Sequence, residues 1–221
     1  MNVIRNLPRT YRVATAATLG GLALLFVCGL IVRDGRVGPV ERDVFHAING
    51  LPGWLYQPLW IFQQLGNLVV AFLAVVVLAV VLRRWKLGIA AVIAVVAKLQ
   101  LEDVVKSVVE RSRPGTSVGD AVLRGQVSFS GLSFVSGHAV IAVACATALS
   151  AVLSRRWRYV VWVLVALNGF PRIYVGAHNP LDVVGGAGLG LVIGGPLYAW
   201  LADPDAEPTA VPAEPDLQAV S

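Results

Sequence analysis

Two stretches without a charged side chain decide what this chain can become. Val13–Val32 is 20 residues long and Trp54–Leu82 is 29. A hydrocarbon core of about 30 Å takes roughly 20 apolar residues as a helix, and a backbone in lipid must satisfy its own hydrogen bonds. The first run therefore reads as one membrane-crossing helix. The second exceeds one straight crossing. Its start, around Trp54, Tyr56 and Trp60, is expected at the interface, where aromatic residues concentrate; the helix itself is expected over about 65–82. Composition agrees: 57% of the residues are hydrophobic and 14% are charged, against about 45–50% and about 25% in soluble domains. That excludes a disordered chain, which is short of apolar residues, and argues against a soluble globule.

Four further helices follow from the same reasoning, over about 87–112, 136–153, 159–170 and 180–201. The expected fold is all-α, a polytopic membrane protein with six transmembrane helices. The first apolar run follows Arg5, Arg9 and Arg12, as in a signal peptide. It is longer than the usual apolar region of about 7–15 residues, so it reads as a retained helix. Residues 1–12 are expected to be a cytoplasmic segment and 13–201 the membrane domain. Residues 202–221, rich in Pro, Ala and acids, are expected to be a disordered tail.

The net charge is +5, from 18 Lys and Arg against 13 Asp and Glu. Half of the cations sit in three clusters at 5–12, 83–86 and 155–158. With six crossings all three fall on one side, and Lys and Arg at helix ends favour the cytoplasm. The termini are thus expected to be cytoplasmic, and residues 33–53, 113–135 and 171–179 to face outward, in a multi-pass protein of the cell membrane. So dispersed an excess does not suggest a nucleic-acid partner. The two cysteines, Cys28 and Cys145, lie inside apolar runs, and with three dispersed histidines they suggest neither a disulfide framework nor a metal site. No cofactor is expected.

The polar residues near the membrane gather at three places, all on the expected outer face. Lys106 and Arg113 are seven apart, two helical turns, and so share a face; Pro114 should end the helix there. Lysine supplies a point charge and arginine a bidentate fork for phosphate. Ser136 reads as the N-cap of a helix whose first residues, Gly137 and His138, offer free N–H groups to an anion. Arg172, His178 and Asp182 form the third group. Asn179 reads as an N-cap and Pro180 as the first helical residue. Asp182 is expected to hydrogen-bond back to His178, fixing its tautomer and leaving the other ring nitrogen free to attack. Cations, two histidines and a carboxylate are the equipment of phosphoryl transfer without a metal.

With these motifs the sequence resembles the type 2 phosphatidic acid phosphatase (PAP2) superfamily. Lys106, Arg113 and Pro114 match its Lys-x6-Arg-Pro element. Ser136, Gly137 and His138 match Pro-Ser-Gly-His, with Val135 in place of proline. Arg172, His178 and Asp182 match Ser-Arg-x5-His-x3-Asp, with Pro171 in place of serine. The resemblance implies a PAP2-like bundle in which His178 attacks phosphorus, Asp182 orients it and His138 protonates the leaving group. Lys106, Arg113, Arg172, Ser136 and Gly137 would hold the phosphate. Arg111 is either an auxiliary to this site or a charge at its rim. Lys98, Glu102 and Lys106 form one stripe on the third helix, either a polar floor for the site or a self-neutralising pair in the bundle.

The expected activity is metal-independent hydrolysis of a lipid phosphate or diphosphate monoester at the outer face. The substrate would be phosphatidate, phosphatidylglycerophosphate, or a polyprenyl phosphate or diphosphate. A lipid-linked phosphotransferase using the same phosphohistidine is the alternative, and a lipid flippase or anion transporter a more distant one.

Overall fold

The computed structural model of the chain describes residues 7–202. Arg5 and the expected tail from residue 203 onward lie outside the described residues. Nine α-helices are found among the described residues: α1 (Arg9–Val32), α2 (Pro39–Asn49), α3 (Tyr56–Gln63), α4 (Leu68–Val81), α5 (Trp85–Val109), α6 (Pro114–Ser117), α7 (Gly137–Leu149), α8 (Arg155–Tyr174) and α9 (Pro180–Leu201). Short 3-10 turns at Gly53–Leu55 and Gln64–Gly66 flank α3. There is no strand among these residues; Ser112 and Leu132 form an isolated antiparallel bridge.

The long apolar run from Trp54 does not make one rod. It breaks at Asn67, whose side chain accepts from the N–H groups of Val69 at 3.0 Å and Val70 at 3.3 Å. Those bonds satisfy two donors that a helix start leaves orphaned, and the segments on either side are bent by 65°. By length and composition, α1 and α9 can each cross a membrane, and the bent pair adds a third crossing if it counts as one span. Helix α5 is as long, but it carries Lys98, Glu102, Asp103 and Lys106.

The centre of the bundle is α9, held between α1 and α7. Its glycines make the approach close enough for backbone contact. A Cβ on Gly188 would lie 2.9 Å from the Gly21 carbonyl of α1, and one on Gly190 would lie 2.6 Å from Val143 Cβ of α7. Helices in lipid associate through such small-residue contacts, because lipid tails are as apolar as leucine. The spacing Gly186, Gly190, Gly194 is a helical stripe facing Ser136, Val143 and Thr147. The apolar core includes Val140, Ile141 and Ala144 of α7 with Leu189, Ile193 and Leu197 of α9. Elsewhere apolar side chains point outward: Phe26 and Ile31 on α1, Val77 and Val80 on α4, and Val104 and Val108 on α5 are all exposed. A soluble monomer rarely shows such continuous apolar faces, and they suit this membrane protein to lipid.

Several boundaries differ from expectation. Residues 33–53, expected as a connection, contain α2, which starts at Pro39 and buries Glu41, Phe45 and Asn49. These are spaced by four and form one face; the segment is too short and too charged to stand out in the sequence. Helix α5 stops at Val109, because Glu110 turns left-handed at φ +45°. Helix α8 passes through Pro171 and ends at Tyr174.

The long loop after α6 is tied down. Asn49 Nδ2 donates to the carbonyls of Val122 and Tyr174, both at 2.9 Å. Arg124 donates to the carbonyls of Asn49 at 2.8 Å, Tyr174 at 2.7 Å and Leu51 at 3.0 Å. These bonds join α2, the 118–135 loop and the end of α8 at one end of the bundle.

Candidate active site

That end of the bundle holds a cavity of about 180 Å³ lined by Gly66, Leu68, Lys98, Glu102, Lys106, Arg113, Gly137, His138, Arg172 and His178. Six of the sequence-derived residues therefore meet: Lys106, Arg113, Gly137, His138, Arg172 and His178. They arrive on several supports, with Gly137 and His138 together at the start of α7. Lys106 comes from the last turn of α5. Arg113 does not share a helical face with it: the chain has already left α5, and Arg113 is extended (φ −67°, ψ 158°) ahead of Pro114, in the conformation that a following proline favours. Its N–H bonds the Gly131 carbonyl at 3.1 Å, and its Nη1 donates to the Ala177 carbonyl at 3.3 Å.

Arg172, expected in the loop after residue 170, lies inside α8, which runs about one turn further than expected. Its Nη1 donates to Gln63 Oε1 at 2.6 Å. Gln63 is a buried residue that the sequence reading did not single out. Asn168, a turn earlier on α8, fixes the same region by donating to the carbonyls of Phe62 at 3.1 Å and Gln63 at 3.2 Å.

Ser136 is the N-cap of α7 by position, but its side chain makes no capping bond. Its N–H donates to the Asp182 carbonyl at 2.9 Å, coupling the start of α7 to the start of α9. Ser136 Oγ and Arg172 Nε are buried and have no hydrogen-bond partner in the protein. A Cβ on Gly137 would lie 2.5 Å from Glu102 Oε2, so a larger residue there would make the Glu102 carboxylate shift.

The histidine and its carboxylate are arranged differently from expectation. His178 Nδ1 lies 3.0 Å from the Ser133 carbonyl, while Asp182 Oδ2 is 3.8 Å away. A carbonyl only accepts, so Nδ1 carries the proton and Nε2 keeps its lone pair. The tautomer is thus set by Ser133, and Asp182 acts as a nearby charge. Burial pushes the His178 pKa down to about 4; Asp182 opposes the shift, and Arg172 and Arg113 favour it. His178 is therefore neutral near pH 7.

Asp182 itself is fully buried. Its Oδ2 accepts the Asn179 N–H at 2.8 Å, the acid half of a capping box, and its Oδ1 accepts from Arg111 Nη1 at 2.8 Å. Arg111 is neither a rim charge nor part of the cavity lining: its relative exposure is 0%. It also binds both carboxylate oxygens of Glu41, at 3.0 and 2.5 Å. Burial disfavours its charge, but Glu41 and Asp182 outweigh that and raise its pKa. The sequence reading passed over Glu41, because nothing in residues 33–53 marks one acid among three as buried.

The stripe on α5 forms one wall. Glu102 sits between Lys98 at 2.7 Å and Lys106 at 2.5 Å. The three residues neutralise one another in part, and all three line the cavity. Asp103 is exposed and lies off it. Four cations against one carboxylate leave an excess of positive charge around a space of this size, an arrangement that favours an anion. Among the described residues, no cluster of three or more His, Cys, Asp or Glu is placed to hold a metal.

Comparison with known proteins points one way. The family model described as the PAP2 superfamily matches residues 85–205. An undecaprenyl-diphosphatase of Sulfolobus acidocaldarius is 36% identical over 109 residues, 49% of this chain and 52% of that protein. A lipid A 4'-phosphatase of Porphyromonas gingivalis is 32% identical over 88 residues, 35% of this chain and 37% of that one. The chain thus matches about half the length of the first relative and about a third of the second. Among solved structures, Aquifex aeolicus LpxE superposes with a TM-score of 0.62 at 27% identity, covering 69% of this chain and 90% of that one. The PAP2 type phosphatidylglycerolphosphate phosphatase from Bacillus subtilis gives 0.67 at 20% identity, covering 84% and 96%; at that identity the likeness concerns the fold.

Proposed function

The chain belongs to the PAP2 superfamily, and from that premise we propose that it is a lipid phosphatase acting through a phosphohistidine at His178. The observation that carries the reading is the His178 tautomer. With Nδ1–H given to Ser133 at 3.0 Å, Nε2 has the free lone pair on a residue that lines a cationic cavity.

The reaction proceeds in two steps. The Nε2 lone pair attacks phosphorus as the phosphorus–oxygen bond to the lipid breaks. His138 gives its proton to the departing oxygen, which leaves with the bonding pair. Water then attacks the phosphohistidine, His138 takes the water proton, and the nitrogen–phosphorus bond breaks with its pair returning to Nε2. Lys106, Arg113 and Arg172 neutralise the phosphoryl oxygens, which is where most of the catalytic stabilisation in phosphoryl transfer arises. Ser136 Oγ and Arg172 Nε, buried without protein partners, add donors, as do the N–H groups at the start of α7. Asp182 balances the charge that the ring acquires.

The substrate class is a phosphate or diphosphate monoester of a membrane lipid. The named activities of the relatives, an undecaprenyl diphosphate and a lipid A phosphate hydrolase, support a long-chain lipid, as do the exposed apolar faces of the helices. The proposal extends to six crossings by residues 13–201, with cytoplasmic termini and the site at the outer face. Reporter fusions after Leu123 and after Arg158 should then report opposite sides; same-side signals refute the topology.

The function is tested by phosphate release from a panel of phosphatidate, phosphatidylglycerophosphate and polyprenyl phosphates and diphosphates, with EDTA present. The expected result is release from at least one lipid, insensitive to EDTA and abolished in His178→Ala. Full release by His178→Ala refutes the mechanism. Transfer of the phosphoryl group to an added acceptor in preference to water would identify a phosphotransferase.

A further inference from the structure

Behind His178 and Asp182 lie two further buried charges, Arg111 and Glu41, that the phosphatase reading does not use. Arg111 bridges two carboxylates: Nη1 reaches Asp182 Oδ1 at 2.8 Å and Glu41 Oε1 at 3.0 Å, and Nη2 reaches Glu41 Oε2 at 2.5 Å and the Arg36 carbonyl at 3.2 Å. Arg111 is absent from the cavity lining, so its charge is not directed at a substrate there. Glu41 Oε1 also accepts the Leu181 N–H at 2.9 Å, in the first turn of α9, one residue before Asp182.

We propose that Glu41 is a positioning residue for the Asp182–His178 pair, acting through Arg111. Its carboxylate takes up the guanidinium charge, so that Asp182 keeps its own negative charge for the imidazole. The inference rests on the reading of His178 as the nucleophile.

The charge count makes the argument. Asp182 with Arg111 alone would be a neutral pair, and a cation 2.8 Å from the carboxylate would cancel much of its field at the ring. Adding Glu41 returns the group to a net charge of one negative. That charge matters when Nε2 bonds to phosphorus, because the ring then holds a substituent on both nitrogens and becomes cationic 3.8 Å from Asp182 Oδ2. The other charged and titratable groups around His178 oppose this. Arg172 of α8, Arg113 of the α5–α6 link, and Lys98 and Lys106 of α5 line the same cavity and are cationic, His138 of α7 is a second base, and Glu102 is already engaged by both lysines. A second carboxylate on the far side of Asp182 offsets that field.

A merely structural role for Glu41 predicts something else: loss of fold or of cavity shape, with KM and kcat affected together. The test uses the full-length purified protein with dioctanoyl phosphatidate and farnesyl diphosphate as probes, reading phosphate release. In Glu41→Gln, kcat should fall by at least about tenfold, the equivalent of one pK unit of interaction with the ring, while KM stays within about twofold. The acid limb of kcat/KM should move to lower pH, because the potential at His178 becomes more positive.

The double variant Glu41→Gln/Arg111→Met removes both charges, again leaving Asp182 with a net charge of one negative. It should regain activity severalfold over the single variant, a non-additivity that independent sites do not show. The double variant also covers failure of the single to fold. Replacing a buried ion pair by uncharged side chains is commonly tolerated, whereas leaving Arg111 short of a partner is not. In that case the double should retain kcat within about tenfold of wild type, the same one-unit span, and a larger loss overturns the proposal. Wild-type kcat in Glu41→Gln overturns it, as does a double no more active than the single with an unmoved acid limb. Activity persisting in His178→Ala would refute the nucleophile assignment instead, so the two failures are distinct.

Discussion

Replacing Asp182 with asparagine isolates the charge that the mechanism asks of this residue. The side chain keeps its shape and loses one negative charge 3.8 Å from the imidazole nitrogen. At an effective dielectric of about 20, a full charge at that distance interacts by about 4 kcal/mol. The ring is only partly cationic in the transition state, so half of that value, about 2 kcal/mol, is the lower expectation. The corresponding loss in kcat lies between about 30-fold and about 1,000-fold. The fold should survive, because Arg111 keeps both oxygens of Glu41. A smaller cost in stability is expected as well. The carboxylate accepts from Asn179 N–H on one oxygen and from Arg111 on the other, and an amide must turn its NH2 toward one of these donors, which costs about 1–3 kcal/mol. The assay is kcat for phosphate release alongside thermal unfolding in detergent. A folded Asp182→Asn protein with kcat within about threefold of wild type, less than 1 kcal/mol, would refute the charge-balancing role.

Three further expectations follow from named contacts. Because the folded-state pKa of His178 is lowered to about 4 from an unfolded value near 6.5, the native state binds fewer protons than the unfolded state between these values. Stability is therefore full above about pH 6.5 and lost as pH falls toward 4, by up to about 3 kcal/mol; denaturation midpoints at pH 7 and pH 4.5 measure it, and a midpoint unchanged or higher at pH 4.5 contradicts the buried neutral ring. Gly190→Leu drives a side chain into a gap where even a Cβ would lie 2.6 Å from Val143 Cβ, so it should cost at least about 1–3 kcal/mol and lower the unfolding temperature, whereas Gly20→Leu, with nothing within 4 Å of its Cβ position, should not. Glu102→Gln frees Lys98 and Lys106 from their shared carboxylate, so orthophosphate should inhibit the variant at severalfold lower concentration; weaker inhibition would show that Glu102 holds Lys106 in its binding position.

The elements that could be read from sequence are those written in local pattern. Val13–Val32 and Pro180–Leu201 are apolar over a membrane's width, and both appear as single helices. Lys106, Arg113, Gly137, His138, Arg172 and His178 were each marked by spacing to a proline, a cap or one another, and they meet at one cavity. What escaped depends on tertiary contact. The His178 tautomer is set by the carbonyl of Ser133, 45 residues away, and a backbone carbonyl has no signature in a sequence. Glu41 and Gln63 matter through Arg111 and Arg172, more than 60 residues off. Two boundaries moved because local rules were overridden: a left-handed Glu110 stopped α5 early, and α8 continued through Pro171. The glycines at 186, 190 and 194 acquire their meaning only from the α7 residues packed against them.

The most direct test of the account is the covalent intermediate. The protein is mixed with lipid carrying a radiolabelled terminal phosphate, quenched in alkali within the first turnover, and digested to locate the label. The account predicts an alkali-stable, acid-labile phosphoryl group on His178, absent from His178→Ala, which also releases no phosphate. Label on another residue, or hydrolysis by His178→Ala at the wild-type rate, would contradict it.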